Sequence, residues 1–393
     1  MRATTILQRC FGDDLNSIHK TRLKPVFFGV DALLRGGRLS LTELGRWAAG
    51  HVSPKHNIKR IDRLLGNRHL PGEIAVFGGG MASFLLGSNR RPYILVDWTR
   101  IGDKRCALVA SLARDGRAVV LYFEVHSKHR LSNPTVERVF LQRLRAVIPA
   151  DCRPIIVTDG GYRTPWFRQI NAMGWDYVGR LSSLVYVQQP GQGEWLRGNV
   201  IEGLAGRRVR DLGMCSVAKT QEITQRVVLS PKFRRNPKRS AQRRRPGDRD
   251  RGYQATVDRN QVPWVLVTSC TELSAKAVHR IYGLRMQIEE TFRDTKNHRF
   301  GWSFRHARAH SNERYAVLLL LAALAGLVLS LVGIAAEHAK LQFPYQANTI
   351  RGRRVLSLFH LGKTILARAR PYELLRLDMN QALAVIKTHE IIK

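Results

Sequence analysis

The sequence predicts an α/β protein. It has a mixed core of short strands and helices, a β-rich insertion, and helical N- and C-terminal regions. Three observations carry this expectation. Short apolar runs bounded by turn residues recur between residues 92 and 181 and again at 263–268, which is the pattern of strands. Stretches with apolar residues three and four apart lie between and around them, which is the pattern of helices. The stretch 182–262 is rich in Gly, Gln, Arg and Val and breaks that alternation.

The chain has 393 residues, enough for two or three domains with cores of their own. At 44% apolar and 24% charged residues it reads as globular rather than disordered. Lys and Arg number 65 against 30 Asp and Glu, a formal charge of +35. Such an excess repels itself unless the usual partner is a polyanion. Nucleic acid is expected ahead of an anionic membrane surface. The five cysteines are odd in number, scattered, and form no CxxC pair. That speaks against a disulfide framework or a zinc knuckle and for a reducing cytoplasm. The apolar stretch at the N-terminus is too short for a signal peptide.

Residues 315–336 carry no charge, and their length meets the usual criterion for a membrane span. Gly326, Ser330 and Gly333 suit close helix packing, however, and charged sequence surrounds this late segment. A central helix buried on all sides is expected instead.

Residues 1 to about 70 read as short helices. Ser40 and Thr42 can cap a helix through Glu43 to Ala49. Gly50 ends it, and Ser53-Pro54 opens the next. In that next helix Ile58, Ile61, Leu64 and Leu65 form one stripe, while Lys55, Lys59, Arg60 and Arg63 lie mostly away from it. Two short helices, the second basic, resemble a helix-turn-helix, so Lys59, Arg60 and Arg63 are candidate DNA contacts.

From residue 92 the strand pattern begins. The run 93–96 ends at Asp97, and 106–112 and 118–125 flank a tight turn at Asp115-Gly116. Helical spacing follows over 134–147, with Phe140, Leu141, Leu144 and Val147 on one side. A further apolar strand, 154–158, ends at Asp159, before a helix around 166–173 and a strand near Tyr177. Strand, strand, strand, helix, strand, helix is the order of the ribonuclease-H-like fold. In the insertion, 232–251 holds ten basic residues with Pro237 and Pro246. That composition suits an exposed loop or hairpin placed for phosphate-backbone contact. A long helix is expected from about Ser274 to Lys296, and the last hundred residues read as helical.

Asp97 ends one apolar strand, where an unpaired carboxylate is costly unless it binds something. Asp159 ends another and precedes Gly160-Gly161, which permits close backbone approach. Adjacent strands would bring the two carboxylates to one sheet edge. Along the expected long helix, Tyr282, Arg285, Glu289, Arg293 and Lys296 fall within about 80° of one another at 100° per residue. That face carries a hydroxyl, three cations and one carboxylate, whereas Glu290 lies roughly 100° further round. This selects Glu289 over Glu290 as a metal ligand. Carboxylates are what Mg²⁺ takes from a protein, and two such ions can activate a hydroxyl and stabilise a leaving oxygen on phosphorus. The alternative for this face is solvated salt bridges such as Arg285 to Glu289.

Tyr282, Arg285, Glu289 and Lys296 match in type and spacing the Y-(2)-R-(3)-E-(6)-K signature of DDE transposases of the insertion-sequence-four family. The stretches 41–46, 56–67, 95–98 and 286–294 resemble the transposon-ten group of that family. The stretch 157–159 with Pro165-Trp166 is a looser match. The resemblance implies that Asp97, Asp159 and Glu289 are the catalytic triad. They would stand on a ribonuclease-H-like core and bind two Mg²⁺ ions, with Mn²⁺ as a substitute. It further implies that Tyr282, Arg285 and Lys296 grip phosphates of the transposon end, and that Trp264 stacks on a base flipped from the duplex. Without the resemblance, Trp264 reads as a core aromatic on a strand.

The implied organisation has five parts. A DNA-binding region spans 1–75, the core 76–181, the β-rich insertion 182–262, the remainder of the core with the signature helix 263–310, and a helical region that helps pair subunits 311–393. The implied activity is cut-and-paste transposition through a hairpin intermediate and strand transfer. Its partners are the double-stranded DNA of terminal inverted repeats and target, held by a homodimer in the nucleoid of a bacterial cytoplasm, with no membrane. A structure-selective nuclease on the same fold and a catalytically silent DNA-binding derivative are the alternatives. No P-loop motif is present, so ATP is not expected.

Overall fold

The computed structural model describes residues 3–114, 116–232, 262–299, 301–346 and 349–388. They fall into two units, Met1–Pro154 with Met286–Lys393 and Ile155–Arg285. The first opens with α1 (Ala3–Phe11), α2 (Lys20–Leu34), α3 (Leu41–Trp47), α4 (Pro54–Leu65) and α5 (Leu70–Leu86). Strands β1 (Tyr93–Ile101), β2 (Arg105–Leu112) and β3 (Val119–Ser127) follow, then α6 (Pro134–Val147). The second unit holds β4 (Ile155–Thr158), α7 (Thr164–Ala172), β5 (Asp176–Arg180), β6 (Tyr186–Gln188), β7 (Leu196–Arg197) and α8 (Gly198–Gly203). It is completed by β8 (Arg210–Val217), β9 (Ile223–Leu229), β10 (Val265–Thr268) and α9 (Ala275–Gly283). The chain then returns to the first unit with α10 (Met286–Lys296), α11 (Asn312–His338), α12 (Gln342–Tyr345), α13 (Leu358–Arg368), α14 (Pro371–Leu375) and α15 (Met379–Thr388). The fold is therefore mixed α/β.

In the first unit β1, β2 and β3 form the expected antiparallel meander. Asp115 of the expected turn lies outside the described residues, whereas Gly116 takes the left-handed conformation such a turn needs, with φ +74°. One expectation is corrected. β1 does not end at Asp97 but runs on to Ile101, with Asp97 opposite Val109. The cause is continued alternation: Thr99 and Ile101 are buried while Arg100 points to solvent, so the ladder to β2 persists past the carboxylate. Asn133 caps α6 by accepting from the amides of Thr135 and Val136, and Phe140, Leu141, Leu144 and Val147 are buried as expected.

The apolar segment lies within α11. By length and composition α11 could cross a membrane. It is instead buried within its own unit, packed against α1, α2, α4, α5, β3, α13 and α15. Its close contact with α13 depends on glycine. A Cβ on Gly333 would collide with the Leu358 carbonyl, and one on Gly362 with the Leu329 carbonyl. With no side chain at either crossing, the two backbones approach directly.

At the N-terminal end of this unit, Ser40 caps α3 by accepting from the Glu43 amide. α3 stops at Trp47 rather than Ala49, because Ala48 already takes extended backbone, with ψ 136°. α3 packs on α4 through Gly45, where a Cβ would stand 2.7 Å from Ile58 Cα. Ile61, Leu64 and Leu65 are buried, Ile58 is half-buried, and Lys55, Lys59, Arg60 and Arg63 are exposed.

In the second unit the strand order is β4-β5-β10-β9-β8-β6-β7. β4 and β5 are parallel, and the remaining pairs are antiparallel. α9 lies on the sheet, touching β4, β5, β9 and β10 and burying Val278, Ile281 and Tyr282. Within 182–262 lie β6 to β9, which continue the sheet from β10. Of its basic stretch 232–251 only Lys232 is among the described residues.

The single long helix expected over 274–296 is two helices, α9 and α10. Gly283 closes the first, and the amides of Leu284 and Arg285 bond three residues back, to Ile281 O and Tyr282 O. These shorter bonds tighten the turn, so helical spacing does not carry from Tyr282 and Arg285 to Glu289. Tyr282 and Arg285 therefore do not share one continuous helical face with Glu289, whereas Glu289, Arg293 and Lys296 share one on α10.

Candidate active site

The first unit carries two of the three expected acids. Asp97 is half-buried in mid-β1, and the period of two puts Asp97, Thr99 and Ile101 on one side of the strand. α10 packs on β1, and Lys296 Nζ donates to Thr99 Oγ1. Glu289 lies seven residues before Lys296, about two turns away on the same side of α10, and both are half-buried. The Lys296–Thr99 bond thus links the side of α10 bearing Glu289 to the face of β1 bearing Asp97. Lys296 also lies over the Phe292 ring. Arg293 is exposed and pairs with Glu290, which is also 3.3 Å from Arg117 Nη2.

The second unit carries the third acid. Asp159 follows β4 and is half-buried. Its Oδ1 accepts from the Gly161 amide at 2.9 Å, so one oxygen holds the Gly160-Gly161 turn, as Asx turns do. The Tyr282 hydroxyl lies within electrostatic reach of Asp159, Arg285 and Arg180 and is hydrogen-bonded to Arg285. Burial pushes its pKa up, and the two guanidinium groups oppose that rise. Asp159 and Arg285 thus both act electrostatically on Tyr282 within this unit.

Trp264 immediately precedes β10 and is half-buried. Its ring meets Tyr282 edge-on at 4.8 Å and His279 at 5.4 Å, and its backbone N–H donates to Ser230 Oγ at 2.6 Å. Burial lowers the His279 pKa, which favours a neutral ring beside the indole.

Lys59 and Arg63 are exposed, and Arg60 stacks over Phe28 at 3.7 Å. Four residues that act on Tyr282, Trp264 or α10 were not singled out from sequence: Arg180, His279, Arg117 and Asp294. Arg180 ends β5 as Asp159 follows β4, and that parallel placement was the available signal. Asp294 gave none, because its burial depends on partners far away in the chain.

The transposase DDE domain model matches residues 90–325, well over half of the chain. The chain belongs to that family. It is a DDE transposase, a metal-dependent enzyme that binds DNA, cuts it and joins strands. A comparison with the curated proteins finds no match. The matched span includes Asp97, Asp159, Trp264, Tyr282, Arg285, Glu289 and Lys296, and α1 to α5 precede it.

The transposase needs divalent metal ions, and its donor chemistry suits them. Asp97, Asp159 and Glu289 are half-buried carboxylates that offer the oxygen ligands hard cations prefer. All five thiols are buried and unpaired by disulfides. Burial pushes Cys10 up to about 12 and Cys106 and Cys215 up to about 11, so none of these three offers a thiolate. Among the described residues no group of three His, Cys, Asp or Glu side chains is gathered as a metal site.

Proposed function

We propose that this transposase works by cut-and-paste, with Asp97, Asp159 and Glu289 as its metal ligands, and that it is a member of the insertion-sequence-four branch. The observation that carries the reading is the pairing of each acid with signature residues inside its own unit. Glu289 shares a helix with Lys296, which reaches Thr99 of β1, two residues beyond Asp97, and Asp159 acts electrostatically on Tyr282, as Arg285 does. The order β1-β2-β3-α6-β4-α7-β5 supports a ribonuclease-H-like core, and the helical regions before and after it support the five-part organisation given above.

Two Mg²⁺ ions, or Mn²⁺ in their place, would activate the attacking water or 3′-hydroxyl and neutralise the leaving oxygen. Lys296, Arg285 and Arg293 bind and orient the phosphates of the transposon end through charge-assisted hydrogen bonds, with the Tyr282 hydroxyl beside Arg285. Trp264, held by His279 and Tyr282, offers a ring on which an unpaired base stacks while the hairpin forms. Lys59, Arg60 and Arg63 contact the backbone of the terminal inverted repeat, and a homodimer aligns two ends in the nucleoid of a bacterial cytoplasm.

Incubating the protein with Mg²⁺, a duplex carrying its end sequence and a plasmid tests the reading. Hairpin ends followed by plasmid-joined product are expected. Cleavage without joined product would instead identify a structure-selective nuclease. Trp264→Ala is expected to impair the hairpin step more than the first nick, and equal loss at both steps would assign Trp264 a folding role.

A further inference from the structure

α10 buries only Ile288 and Asp294, so apolar packing does little to fix its rotation. Polar contacts line one side of it instead. Gln287 Oε1 accepts from the Arg114 amide at 2.7 Å. The Thr291 hydroxyl accepts from the Ala118 amide at 3.1 Å and donates to Ala118 O at 3.0 Å. Asp294 Oδ2 accepts from Arg117 Nε at 2.6 Å, and Arg117 also pairs with Glu290. All the partners sit at the β2–β3 connection. Asp294 Oδ1 meets His360 Nε2 of α13 at 3.1 Å, and α13 is pressed on α11 through Gly333 and Gly362.

At 100° per residue, Gln287, Glu290, Thr291 and Asp294 span about 100° of the helix, and Glu289 and Lys296 lie roughly 160° from their centre. One side of α10 is clasped to the meander and to α13, while the other carries the residues assigned to chemistry. A rotation of one residue's worth would break every bond of the clasp at once and swing Glu289 away from its direction.

We propose that Asp294, with Thr291 and Gln287, is a positioning residue that sets the rotation of α10 and thereby the aim of Glu289 and Lys296. The proposal rests on the assignment of Glu289 as a metal ligand. Small errors of aim are costly in such sites: a displacement of about 1 Å can reduce rate a hundredfold. Outer residues that orient metal ligands typically contribute roughly ten- to a hundredfold in metal affinity or activity.

The test compares full-length Asp294→Asn, Thr291→Val and Glu289→Gln with the wild type. Three quantities are read: Mn²⁺ binding to the protein by electron paramagnetic resonance, affinity for end DNA, and single-turnover cleavage against Mg²⁺ concentration. Asp294→Asn and Thr291→Val are expected to weaken Mn²⁺ binding at least threefold. They should also raise the Mg²⁺ needed for half-maximal cleavage, while end-DNA affinity stays within about twofold. A purely structural role would lower the folded fraction without changing metal affinity per folded molecule. Should Asp294→Asn fail to fold, Thr291→Val decides, since it removes two hydrogen bonds and keeps the shape. Folded variants with wild-type Mn²⁺ binding and Mg²⁺ dependence would overturn the proposal. Wild-type cleavage by Glu289→Gln would instead overturn the ligand assignment beneath it.

Discussion

Lys296 on α10 donates its ammonium to the hydroxyl of Thr99 on β1, two residues beyond Asp97. The bond keeps a long, flexible cation on the side of the helix that bears Glu289. Lys296→Ala should therefore lose a preplaced phosphate contact. Such charge-assisted contacts contribute about 1.5–3 kcal/mol, so end-DNA affinity should fall roughly tenfold to a hundredfold. Thr99→Val keeps the charge and should lose less. Titration of labelled end DNA checks both, and unchanged affinity in Lys296→Ala would remove it from the DNA surface.

The exposed basic side of α4 makes a prediction about salt. Replacing Lys59, Arg60 and Arg63 together with Ala should weaken binding and flatten its salt dependence by about one unit of log–log slope per residue. The measurement is end-DNA affinity across a series of salt concentrations. An unchanged slope would mean that this face is merely solvated. Gly45→Val is the structural control. It should destabilise the α3–α4 crossing by overpacking against Ile58, at a cost of about 1–3 kcal/mol, seen as a lowered melting temperature.

Much of the fold was legible because local pattern and tertiary structure agree. The meander, α6, β4 and β5 follow the two- and 3.6-residue periods of their apolar residues, and the core-helix reading of 315–336 drew on Gly326, Ser330 and Gly333 and on the charged sequence around the segment; of these, Gly333 meets α13. Asp97 was misplaced to a strand end because a polar residue in mid-strand looks like a boundary, whereas hydrogen bonding to β2 continues past it. The break between α9 and α10 was missed although Gly283 marked it, because the signature spacing runs through it. The clasp around Asp294 could not be read at all. Its partners Arg117 and His360 stand 177 and 66 residues away, and only the fold brings them together.

Acid should expose that clasp. Burial opposes ionisation of Asp294, but hydrogen bonds from His360 and Arg117 outweigh it and hold the carboxyl below its usual range. A depressed folded-state pKa stabilises the native state above the unfolded value, near pH 4, and the contribution is lost as pH falls through the folded value. Asp294→Asn should accordingly lower stability at neutral pH and lose less of it on acidification below about pH 4. Urea unfolding at pH 7 and pH 3 measures the difference. An equal acid-induced loss in mutant and wild type would show that Asp294 does not contribute.

Asp97, Asp159 and Glu289 are the proposed metal-binding carboxylates. The most direct measurement is single-turnover cleavage of an end-bearing duplex in Mg²⁺ by Asp97→Asn, Asp159→Asn, Glu289→Gln and Glu290→Gln, with end-DNA binding recorded for each. The first three variants are expected to bind DNA without cutting it, and Glu290→Gln, which loses its pairing with Arg117 and Arg293, to cut at a reduced rate. Normal cutting by Glu289→Gln with no cutting by Glu290→Gln would contradict this assignment.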